Sequence, residues 1–172
     1  CSIRLSTLRE LLGAAGMDVP VDVARFSSLY LVSEPMTDLE SVLRKFLATQ
    51  KVLSTEEILT RITYEVIEDC SREGLKILEL RYAPTFVRLG HENLTYEQIH
   101  AAIVKGMNQA MNDFPISVGL IAIIQRILPV AEGAKVTDFV IENKNTFVGI
   151  DLADNEVGFD AKPFAPLFMR AK

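Results

Sequence analysis

Ile116-Ser117-Val118-Gly119-Leu120-Ile121-Ala122-Ile123-Ile124 is apolar almost from end to end. A strand with one wet face alternates apolar and polar residues. A short run without alternation predicts a strand covered on both faces of a parallel sheet. Phe147 to Ala153 has the same character, and Leu75 to Ala83 supplies a third strand-like run. Helical patterns lie between and before them. Ile58, Leu59, Ile62, Val66 and Ile67 recur at helical spacing, as do Ile99, Ala102, Ile103, Met107, Ala110 and Met111; a less regular pattern covers Val130 to Ile141. Strands recurring about every 30–40 residues with helices between them read as βαβ units, hence an α/β chain with a parallel sheet.

The helix starts support this layout. Thr37 with Glu40, Ser54 with Glu57 and Thr95 with Gln98 each have capping-box spacing. Gly74 has the position of a residue that closes one helix before a strand opens. Gly16 to Pro35 is an excursion ahead of the regular alternation. Three strands make a poor free-standing parallel sheet because both edges stay unpaired, whereas a closed (β/α)8 barrel needs about 250 residues. The 172 residues have the length of one domain, 1–172, but read as an unfinished fold, ending in an amphipathic helix start at Phe164 to Lys172 with no strand after it.

Composition narrows the function. Hydrophobic residues at 49% and charged residues at 24% describe a globular chain. A formal net charge of -5 with interspersed signs argues against a nucleic-acid partner, which requires a basic face. No apolar run approaches the ~18 residues of a membrane span. Cys1 and Cys70 are too few for a disulfide framework, so Cys70 is expected as a free, partly buried thiol in a reducing, cytoplasmic setting. With Cys1 in place of Met, the N-terminus is expected to have been trimmed or not to be the start of the gene product.

Charged groups inside the apolar strands are the candidate functional features. Glu79 and Arg81 share a strand face by the two-residue period. They form either a structural ion-pair network bracing the barrel or, for Arg81 near the strand's C-terminal end, a group orienting the active site, since barrel chemistry sits at those ends. Asp151, Asp154, Asn155 and Glu156 cluster at the end of the third strand, as a polar rim or as part of a site; their spacing does not match a calcium loop. His91 in a loop and His100 inside a helix have no second His or Cys at ligand spacing, so both read as structural.

In order along the chain, these pieces resemble the adenosine deaminase family of amidohydrolase barrels. Cys1-Ser2-Ile3-Arg4 is similar to the segment following that family's His-x-His-Leu-Asp motif. Leu39-Glu40-Ser41-Val42-Leu43-Arg44-Lys45-Phe46 is similar to its pocket-lidding helix. Tyr64-Glu65-Val66-Ile67-Glu68-Asp69, Glu73-Gly74 and Glu79-Leu80-Arg81-Tyr82-Ala83-Pro84 resemble its second helix and strand. Arg126 falls where the family has an Arg after strand three, and Gly149-Ile150-Asp151-Leu152-Ala153-Asp154-Asn155-Glu156 resembles its Asp-Leu-Ala-Gly-x-Glu motif ending strand four.

The resemblance implies a partial TIM (β/α)8 barrel with parallel strands two to four, in a parent protein that converts adenosine and water to inosine and ammonia at one Zn²⁺, whose bound water attacks the purine. The family's metal ligands and general acid lie in His-x-His, His-Ala-Gly-Glu and strand-eight segments. None matches a position here, so no catalytic residue and no zinc ligand is expected in this chain, and the chain alone is expected to be inactive. What carries over is a wall for a small-molecule purine nucleoside: Leu39, Val42, Leu43 and Phe46 as an apolar lid, Asp154 beside the purine, and Glu79, Arg81, Arg126, Asp151 and Glu156 in support. Ordinary core packing explains the Leu39–Phe46 stripe equally well. Asp154 stands where the family usually has a Gly whose backbone amide meets the purine, Val42 where a Phe is common, and Cys1 where Gly is found. A related substrate, adenine or a modified adenosine, is one alternative. Another is a non-catalytic fragment or split subunit that self-associates through its open sheet edge.

Overall fold

A computed structural model describes residues 3–32 and 34–172, so Cys1 and Ser2 of the first motif lie outside the described residues. Helices α1 (Leu5–Ala14), α2 (Val23–Tyr30), α3 (Leu39–Gln50) and α4 (Glu56–Arg72) come first. Strand β1 (Ile77–Tyr82), helices α5 (Pro84–Arg88) and α6 (Tyr96–Asp113), β2 (Ser117–Gln125), α7 (Val130–Glu142) and β3 (Phe147–Ala153) follow. A 3-10 turn at Lys162–Phe164 leads into α8 (Ala165–Ala171). The strands form one parallel sheet in the order β1-β2-β3, the arrangement of a partial (β/α)8 barrel with flanking helices. Among the described residues no helix is long and apolar enough to cross a membrane.

The helices cover one face of the sheet. Leu120, Ala122 and Ile124 of β2 are buried to 1% exposure or less against a core that includes Ile99, Ile103, Met107, Val136 and Phe139. Close approach of α6 to α4 needs Gly106, where a Cβ would sit 2.3 Å from the Thr60 carbonyl oxygen. The other face departs from the expectation of cover on both sides. Ile77 is 78% and Val148 62% exposed, and Glu79 and Arg81 are exposed beside them. The apolar run of β2 reflects burial by helices on one side and small or aliphatic residues on the other, where Gly119 leaves room for the Val148 side chain.

A second, smaller core joins α1 to the α2 segment through Leu8, Leu11, Leu12, Phe26 and Val52. Arg4 fastens α1 to α4: its Nε donates to Asp69 at 2.8 Å and its Nη2 to Glu68 at 2.7 Å. That double partnership holds both carboxyls below their usual range. Caps follow the expected chemistry with two shifts of register. Thr95 and Gln98 form the expected capping box. The other two N-caps are Asp38, accepting from the Ser41 amide at 2.7 Å, and Thr55, accepting from Ile58, each one residue beyond the expected Thr37 and Ser54. Gly74, at φ +93°, closes α4 as expected.

Candidate active site

The parallel register settles which side chains share the open face. Arg81 lies beside Ile121 and Gly149, and Ile123 beside Asp151. Arg81 therefore reaches across β2 and forms an ion pair with Asp151, not with Glu79. Both partners are well exposed, at 48% and 39%. Solvent screening limits such a pair to about 1 kcal/mol of stability or less, so its value lies in orientation.

Above this pair, the C-terminal ends of all three strands are joined by a chain of polar side chains. Thr85, just past β1, donates through Oγ1 to Gln125 Oε1 at 2.7 Å. Gln125, the last residue of β2, donates through Nε2 to Asp154 Oδ2 at 2.7 Å. Asp154 Oδ1 accepts the Asn155 amide at 2.7 Å. Asp154, immediately after β3, has φ +91° and is the one non-glycine residue described there with a positive φ. It thus adopts a glycine-like backbone although it carries a side chain, a conformation costing an L-residue roughly 1–2 kcal/mol. The neighbouring Arg126 is mostly buried, pairs with Glu156 at 3.1 Å and donates to the Leu152 carbonyl at 3.4 Å. Its Nε is buried without a partner.

Helix α3 is tied at its C-terminus to the segment that follows β1. Gln50 at its C-terminus is buried and donates to the carbonyls of Val87 and Leu89, in and just after α5. Leu39 and Phe46 remain 41% and 37% exposed, and Val42 and Leu43 are half-buried. The stripe is therefore not packed into a core of this chain. An open groove of about 570 Å³ lies elsewhere, between α4 and α6, lined by Glu56, Thr60, Arg61, Tyr64 and Lys105; it has no part in this site.

The histidines do not fit a metal centre. His100 is buried, with Nδ1 2.8 Å from the Tyr82 hydroxyl and Nε2 2.7 Å from Thr146 Oγ1. Thr146 donates its own proton to the Asn143 carbonyl. It must therefore accept from His100, which fixes the Nε2–H tautomer and leaves Nδ1 to accept from Tyr82. Stacked on Phe147 at 4.6 Å, His100 is held neutral, with burial pushing its pKa down. His91 Nε2 is buried without a partner, yet among the described residues no group of three His, Cys, Asp or Glu side chains gathers to hold an ion. Cys70 is a free, half-buried thiol.

The adenosine deaminase family model matches residues 1–172. This chain belongs to the adenosine deaminase family. It is 34% identical over 158 residues to the adenosine deaminase of Shewanella halifaxensis, covering 90% of this chain and 47% of that protein. The chain thus spans about half the length of the curated relatives it matches. Among solved structures, a zinc-bound amidohydrolase from Burkholderia ambifaria superposes with a TM-score of 0.84 at 26% identity, over 99% of this chain and 45% of that one. Arabidopsis ADAL complexed with GMP superposes at 0.80 with 27% identity, over 98% and 51%. Sequence reasoning passed over Gln125, Thr85 and Gln50. A Gln ending an apolar strand was the available signal for the first; the other two depend on contacts that only folding creates.

Proposed function

We propose that the parent protein is a zinc-dependent deaminase that converts adenosine and water to inosine and ammonia, and that residues 1–172 are its N-terminal half-barrel. The observation carrying this reading is the polar array at the C-terminal strand ends, Arg81–Asp151 and Thr85–Gln125–Asp154, on a chain of this family. Barrel enzymes place their chemistry at those ends. Among the described residues no side chains gather to fit the metal, so in this reading zinc is held by segments outside this chain and no step is assigned to it here. The chain's own role is a wall: the Asp154 turn meets the purine, Leu39, Val42, Leu43 and Phe46 close over it, and Arg81, Arg126, Asp151, Glu156 and Glu79 support the frame. Full-length protein is expected to contain zinc and to deaminate adenosine in an ultraviolet assay, while the 172-residue chain alone leaves adenosine unchanged. Zinc-free, inactive full-length protein would refute the reading.

Asp154 and Val42, both unusual for the family, favour a second reading in which the substrate is adenine or a modified adenosine. Relative turnover of adenosine, adenine and N6-substituted adenosines separates the two. The open face and the β1 and β3 edges support a third, a non-catalytic subunit that pairs with a complementary half. Full-length protein that oligomerises and deaminates none of these compounds would favour it.

A further inference from the structure

We propose that Gln125 is a positioning residue, a clamp that keeps Asp154 in its glycine-like conformation and its backbone N–H available to the substrate. The proposal rests on the reading above that the Asp154 turn meets the purine.

The Ala153 carbonyl accepts the Arg126 amide across the sheet at 3.0 Å. Because the peptide unit is planar and trans, the Asp154 N–H points the opposite way, away from β2. Among the described residues it has no hydrogen-bond partner. The Asp154 side chain, in contrast, is drawn toward β2 by Gln125 Nε2 at 2.7 Å, and Gln125 is oriented by Thr85 at 2.7 Å. Holding the side chain toward β2 while the amide faces away requires the φ of +91°. A glycine adopts that φ freely, but an aspartate released from its anchor gains by leaving it. Gln125 and Thr85 therefore supply by hydrogen bonding what a glycine supplies by lacking a Cβ.

The test is a double-mutant cycle in the full-length protein with Gln125→Leu, Asp154→Gly and the two combined. A conformational preference of roughly 1–2 kcal/mol corresponds to a population change of about 5–30-fold. Gln125→Leu is expected to lower kcat/KM by about that factor, mostly through a higher KM, because an interaction common to ground and transition states is lost. The activity of Asp154→Gly, whatever its level, sets the reference for the double variant. Adding Asp154→Gly to Gln125→Leu is expected to restore activity to within a few-fold of Asp154→Gly alone, a rescue that a merely structural glutamine does not allow. Equal impairment of Gln125→Leu with and without Asp154→Gly would overturn the clamp, as would an inconsequential Gln125→Leu. Thermal midpoints give a readout independent of turnover. Gln125→Leu is expected to lower Tm by a few degrees in the parent and by less than half as much beside Asp154→Gly; equal shifts overturn the clamp. If the parent protein turns over no purine, the functional reading fails while the melting cycle still decides whether the clamp exists.

Discussion

The two faces of the three-stranded sheet carry the same backbone and opposite chemistry. On the helix-facing side Leu120, Ala122 and Ile124 are sealed by α6 and α7. On the other side Arg81, Asp151 and Gln125 hold polar contacts in the open. The difference separates the main source of stability from the proposed site. Removing water from aliphatic surface stabilises by roughly 25 cal/mol per Å², whereas exposed ion pairs add little but determine where charged groups sit.

Substitutions on the two faces of the full-length protein test this division. The largest effect is expected from Leu120→Ala, which leaves a cavity beneath the sheet and should cost about 2–5 kcal/mol in urea unfolding; a cost under 1 kcal/mol would mean the sealed face is not the main source of stability. Gly106→Ala comes next. Its Cβ meets the Thr60 carbonyl oxygen and the Thr63 side chain at 3.0 Å, so α4 and α6 must part, at a cost of about 1–3 kcal/mol. An unchanged unfolding midpoint would show that the helices yield freely.

Acid probes the sealed side through His100. Burial lowers its folded-state pKa below the unfolded value, so its contribution to stability is complete above about pH 6.5 and declines as pH falls below that. Thermal midpoints are expected to drop between pH 7.5 and 5.5, and His100→Phe should flatten that slope; a slope surviving His100→Phe would assign it to other groups. On the open face, Arg81→Met should change unfolding free energy by about 1 kcal/mol or less while reducing kcat/KM by releasing Asp151. A large stability loss with intact turnover would reverse the roles given to the two faces.

Local signals were readable wherever they were complete within a short stretch. Phe147–Ala153 has the boundaries its apolar run suggests, and β1 and β2 fall within two residues of theirs. Thr95–Gln98 closes as a capping box because both partners belong to one turn. Asp38 and Thr55 took the caps from their neighbours since adjacent Thr, Asp and Ser side chains compete for the same amides. The short helices α2 and α5, eight and five residues long, span too few turns for a sustained period. The Arg81–Asp151 pair, 70 residues apart, was hidden because its partnership depends on strand register.

The amino-acid sequence by itself therefore determined the three strands, the longer helices, their parallel α/β order and the family, since periodicity, caps and ordered motifs are properties of neighbouring residues. Only the tertiary structure decided which face of the sheet is closed, that Arg81 spans β2 to Asp151, and that Gln125 reaches Asp154 at a glycine-like turn. Those outcomes depend on register and through-space approach, where residues far apart in the chain meet at hydrogen-bonding distance.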